Sequence, residues 1–150
     1  MDKMIEGSKN IATETVNERF EKVSTDLFYY LELGLVIPYD IVQYFKLLQL
    51  YNKDYGYAFP TIYKLEVMLN TSRNTILRSN KRLVNAGLLE IKRAKHGNNT
   101  YLPKQPLPKE TLYKQVPSNV EEFEKRKAEI ENKAFADGSR LNIYNIKKDL

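Results

Sequence analysis

The apolar positions of this 150-residue chain change their spacing several times, and the changes divide it into elements. Val16, Phe20 and Val23 recur at helical intervals, which predicts a short helix over 13–23 with one apolar face. Leu27-Phe28-Tyr29-Tyr30-Leu31 is a short unbroken apolar run that fits a strand or a helix. Pro38 suits the first turn of a helix, where its missing N–H would be unsatisfied anyway. From there Ile41, Tyr44, Phe45, Leu48 and Tyr51 keep helical spacing to about Asn52. Tyr57-Ala58-Phe59 reads as a loop or a short strand. Thr61 then N-caps a helix whose stripe is Ile62, Leu65 and Leu69. Asn70 tolerates the left-handed conformation that a sharp helix end requires. Ser72 caps the next helix, which runs to about Ala86 with Ile76, Ser79 and Leu83 inward and Gly87 ending it. Leu88 to Arg93 and Tyr101-Leu102 flank the turn formers His96-Gly97-Asn98-Asn99, which predicts a hairpin.

Past the hairpin the pattern weakens. Pro103, Pro106, Pro108 and Pro117 punctuate a stretch that reads as a linker or as a strap over the domain. Ser118 and Glu121 then form a capping-box pattern at the start of a charged helix. Glu121–Lys125, Glu122–Arg126 and Glu129–Lys133 support that helix as i,i+4 pairs. The expected organisation is a mainly α, α+β chain. It comprises an N-terminal arm and short helix (1–26), a central domain (27–103), a Pro-rich linker (104–117) and a C-terminal charged helix and tail (118–150).

Charge sharpens the picture. The net charge is +5, but Pro60 to Lys104 holds nine basic residues against Glu66 and Glu90, a net +7, and the rest of the chain sums to −2. Positive charge gathered into one folded segment points to a polyanionic partner. The chain has no Cys, which removes disulfides, thiolate metal sites and Cys nucleophiles and fits a cytoplasmic protein. No apolar run reaches the roughly 18–20 residues of a membrane span, and the N-terminus lacks the apolar core of a signal peptide.

The order helix, helix, tight turn, helix, Gly, strand, wing, strand carries a resemblance. Phe59-Pro60-Thr61, Leu65, Leu69, Thr71-Ser72-Arg73-Asn74-Thr75-Ile76, Arg78, Leu83, Gly87-Leu88-Leu89 and Asn99-Thr100-Tyr101-Leu102 together resemble the winged helix-turn-helix domain of plasmid and phage replication proteins. The stretch is also similar to the DNA-binding domain of GntR-type transcription regulators. Those domains usually carry Arg at position 77 and an apolar residue at position 80. Leu77 and Asn80 stand there instead, with Arg78 one place later, which favours the replication-type group. Relatives also usually have a small residue where Glu66 stands, so Glu66 is expected to tilt to solvent or pair with a cation.

The resemblance implies a second helix laid in the major groove of double-stranded DNA. Asn bonds adenine through two atoms and Arg does the same with guanine, so Asn74 and Arg78, then Arg73, are the expected base readers. Ser72, Thr75, Lys81, Arg82 and Lys64 are expected at phosphates, which fix register without reading sequence. Leu77 is placed against a thymine methyl, and the wing residues Lys95, His96, Asn98 and Asn99 against the backbone or minor groove. No catalytic constellation, metal-ligand cluster or cofactor motif is expected; His96 is the only His and falls in a turn. The expected partners are duplex DNA, a second copy of the chain, mainly through 13–23, and a protein partner through 118–136. The functions in view are replication or partition, transcription regulation, or a protein-interaction module within such a complex.

Overall fold

In the computed structural model of the chain, residues 4–9, 20–94 and 98–138 are described. Among them are six helices: α1 (Leu27–Glu32), α2 (Pro38–Gln49), α3 (Ile62–Leu69), α4 (Arg73–Asn85), α5 (Lys109–Gln115) and α6 (Pro117–Ala136). A two-stranded antiparallel sheet, β1 (Leu89–Lys92) with β2 (Thr100–Pro103), follows α4. Its register pairs Leu89 with Pro103 and Ile91 with Tyr101. Ala58 adds a bridge on the other side of β2, exchanging both backbone hydrogen bonds with Tyr101 at 2.8 and 2.7 Å. The segment before α3 thereby closes the open edge of the hairpin.

The core draws on every part of this unit. Leu27 and Tyr30 of α1, Tyr44 and Leu47 of α2, Leu65 of α3, and Ile76 and Leu83 of α4 are buried together with Ala58, Leu88, Leu89 and Tyr101. The run 27–31 is a helix, not a strand: Leu27 and Tyr30 share its inward face while Phe28 is exposed. α2 ends at Gln49, a little earlier than its apolar spacing suggests, and the face it buries is Asp40, Gln43, Tyr44 and Leu47. Three of the residues marked by sequence as its stripe, Ile41, Phe45 and Leu48, lie beside that face rather than on it.

The stretch 104–117 is a strap containing a helix. The Tyr44 hydroxyl donates to the Lys104 carbonyl at 2.8 Å, and the Leu107 N–H donates to the Tyr30 hydroxyl at 2.8 Å. α5 then buries Leu112 in the core, and Lys109 sits over the rings of Tyr29 and Tyr113. The capping box expected at Ser118 does not form. Pro117 takes the first helical position and moves the start of α6 two residues back, so the N-cap is Val116 and has no side-chain cap. α6 is tied to the domain by Asn119, whose Nδ2 donates to the Leu33 carbonyl at 2.9 Å, and by Val120 and Phe123. Of the helix expected over 13–23, residues 20–23 are not helical, and 13–19 lie outside the described residues.

Candidate nucleic-acid interface

The connection from α3 to α4 is specified by three short polar residues. The Thr61 hydroxyl accepts the Lys64 N–H at 3.0 Å, fixing the start of α3. Asn70 ends α3 with φ 47° and ψ 54°, a conformation in which Asn costs less than most residues. The Ser72 hydroxyl accepts the Thr75 N–H at 3.2 Å and also bonds the Thr75 hydroxyl at 3.0 Å, so α4 begins at Arg73. Gly87, with φ 77°, lets the chain leave α4 and enter β1.

α4 divides cleanly into two faces. Ile76, Ser79, Asn80 and Leu83 are buried, as the sequence pattern implies for Ile76, Ser79 and Leu83. Arg73, Asn74, Leu77, Arg78 and Lys81 are exposed on the other side, and Lys64 is exposed on α3. Among the described residues, none of Lys64, Arg73, Arg78 or Lys81 is held in an ion pair. The site therefore presents four cations, an amide and an apolar side chain.

Arg82 differs from the other cations. Its Nε and Nη2 donate to Oδ2 and Oδ1 of Asp40 at 2.7 and 2.9 Å, a two-pronged ion pair between α4 and the first turn of α2. Asp40 is fully buried, and its Oδ2 also accepts the Ile37 N–H at 2.9 Å. The hydrogen bonds to Asp40 raise the Arg82 pKa further above its ordinary value. The sequence puts this residue at a phosphate; in the structure two of its donors are spent inside the domain.

A buried polar chain lies behind the exposed face. Gln43 Nε2 donates to Asn80 Oδ1 at 2.7 Å and to the Ile76 carbonyl at 3.2 Å, and Gln43 Oε1 accepts the Tyr39 hydroxyl at 2.7 Å. Burial raises the Tyr39 pKa, against a hydrogen bond to Thr71 in the turn that lowers it. Burial likewise raises Tyr101, opposed by hydrogen bonds to Asn80 and Asn99. Asn80 thus occupies a core position by pairing with Gln43, which satisfies its buried amide. The chain of contacts fixes α4 against α2 and β2, and with it the aim of the exposed side chains.

The remaining predicted residues fall in different settings. Asn98 is exposed, whereas Asn99 is half-buried and engaged with Tyr101. Lys95 and His96 lie outside the described residues. Glu66 is half-exposed and forms no ion pair among the described residues. Asp40, Gln43 and Asn80 are the residues that sequence reasoning missed. A buried acid on α2 and a basic residue late in α4 carry no spacing signal that pairs them. Among the described residues no group of acidic or His side chains is arranged to hold a metal ion, and no helix is long and apolar enough to cross a membrane. No protein-family model matches the chain, and no curated protein is significantly similar to it.

Proposed function

We propose that this chain binds double-stranded DNA sequence-specifically through a winged helix-turn-helix. In this reading α2, α3 and α4 are its three helices, α4 is the recognition helix, and β1 and β2 flank the wing. The observation that carries the reading is the exposed face of α4. Arg73, Asn74, Leu77, Arg78 and Lys81 stand together on it, and its three cations are not in ion pairs among the described residues. Exposed cations held on a rigid element attract a polyanion, and Asn and Arg discriminate base edges in the major groove. The Ala58–Tyr101 bridge adds support, because a short strand before the two helices that pairs with the hairpin belongs to that architecture.

The roles in this reading come from side-chain chemistry, supported by exposure. Asn74 and Arg78 read bases, with Arg73 beside them and Leu77 against a thymine methyl. Lys64, Lys81, Ser72 and Thr75 contact phosphates, and Asn98 and Asn99 approach from the wing. Arg82 acts by positioning, since its fork to Asp40 holds α4 on α2. The chain acts as a homodimer in plasmid- or phage-type replication or partition, or in transcription regulation, because one recognition helix covers only a half-site. A footprint on the DNA flanking the protein's own gene tests this. Protected direct repeats indicate replication or partition, a single protected palindrome at a promoter indicates regulation, and no protection at any duplex site overturns the proposal.

A further inference from the structure

α2 is apolar on two sides, and only one is used. Asp40, Gln43, Tyr44 and Leu47 are buried, and α2 packs against α4 and β2. Beside that face, Ile37, Ile41 and Phe45 form a ridge at i,i+4 spacing with Val42 alongside, Ile41 being half-buried against the core. Ile37, Val42 and Phe45 are 46%, 54% and 41% exposed. Phe28 of α1 is 60% exposed, and it lines with Ile41, Val23 and Leu27 a groove of about 230 Å³ beside this ridge. Between Ile37 and Phe45 the only charged residue is Asp40, which is buried under Arg82. Among the described residues the α2 part of the face therefore holds no exposed charge, the composition found at the buried centre of protein interfaces.

We propose that this α1–α2 face pairs with the same face of a second copy about a two-fold axis, the ridge of each lying along the groove of the other. The area supports a second copy as occupant. Taking about 200 Å² for a fully exposed ring and somewhat less for Ile or Val, Phe28, Ile37, Val42 and Phe45 present on the order of 400 Å² of apolar surface. A stable interface buries about 800 Å² per partner, somewhat over half of it apolar, so these four side chains supply most of what is needed. A two-fold axis requires a self-complementary patch, and a ridge beside a groove on one surface is such a patch. Pairing here leaves the outward face of α4 free. This names the surface of the homodimer proposed above, and it stands or falls independently of DNA binding.

The test is sedimentation of the full chain at micromolar concentrations, alone and with Val42→Glu or Phe45→Glu. The full chain is expected to be dimeric. Each substitution is expected to raise the dimer dissociation constant roughly 30-fold or more, with the circular dichroism of the folded chain retained. Tyr63→Glu, at a residue 75% exposed on α3, is expected to leave the dimer intact. Because the chain has no Cys, Val42→Cys supplies a single thiol whose alkylation should slow as protein concentration rises. A monomeric full chain, dimers that survive both Glu substitutions, or a thiol whose reactivity is independent of concentration would each overturn the proposal. A monomer that still binds duplex DNA would overturn this pairing and leave the DNA reading standing.

Discussion

Asp40→Ala should be among the most damaging single substitutions in the domain. It removes the acceptor of three hydrogen bonds: Arg82 Nε at 2.7 Å, Arg82 Nη2 at 2.9 Å and the Ile37 N–H at 2.9 Å. A charge-assisted pair of this kind contributes about 1.5–3 kcal/mol, and the lost helix cap about 1 kcal/mol more. The Arg82 side chain is one-third exposed, so its guanidinium regains water and the cost moves toward the lower end. The expected loss is about 2–4 kcal/mol, or roughly 8–20 °C in Tm for a domain of this size. Arg82→Ala should cost more, about 3–5 kcal/mol, because Asp40 is fully buried and keeps only the Ile37 N–H. Urea unfolding followed by circular dichroism measures both, and the double variant closes a cycle. The coupling should be about 2–3 kcal/mol, with the double variant less destabilised than the two losses added together. A loss below about 1 kcal/mol for Asp40→Ala, or simple additivity in the cycle, would refute the view that this pair fixes α4 on α2.

Other outcomes follow from the same geometry. Ser72→Ala should destabilise by about 1 kcal/mol in thermal unfolding, since the cap on the Thr75 N–H is lost. Ser79→Ala should instead raise stability by about 1 kcal/mol, because the Ser79 hydroxyl is buried with no partner among the described residues and Ala is the better helix former. Burial raises the pKa of Tyr30, Tyr44 and Tyr101 above the ordinary value of 10.0. The stability they add is therefore complete below pH 10 and lost as pH rises beyond it, because the unfolded chain ionises first. Tyrosinate absorbance should accordingly show a set of groups that ionise only as circular dichroism reports unfolding. In binding assays Arg78→Ala should cost about 1–3 kcal/mol and relax base preference, whereas Lys81→Ala should weaken all sequences alike. Equal loss of preference from both would show these roles to be misassigned.

What could be read from the sequence follows from how local each signal is. α3, its turn and α4 were legible because Thr61, Asn70, Ser72 and Gly87 act on backbone groups within a few residues of themselves. The run 27–31 was ambiguous because five apolar residues fit either period, and packing of Leu27 and Tyr30 decided for helix. α5 was hidden because its sequence is mostly polar, its one buried residue is Leu112, and prolines flank it. At the candidate site the exposed face of α4 followed from its inward stripe. The pairing of Arg82 with Asp40 did not, since it joins residues 42 apart through tertiary packing alone. On α2 the apolar spacing marked Ile41 and Phe45, while the side packed into the domain includes Asp40 and Gln43. The mismatch arises because two polar residues are buried there, Asp40 with Arg82 and Gln43 with Asn80, leaving apolar surface beside them.

Titration of the full chain against duplex DNA across a range of salt concentrations tests whether it binds DNA at all. With Lys64 exposed on α3 and Arg73, Arg78 and Lys81 exposed on one face of α4, binding should be tight at low salt. The logarithm of the association constant should then fall linearly with the logarithm of salt concentration, with a slope of about −3 or steeper for each protomer bound. A slope near zero, or no duplex binding at low salt, would show that this chain is not a DNA-binding protein of the kind proposed.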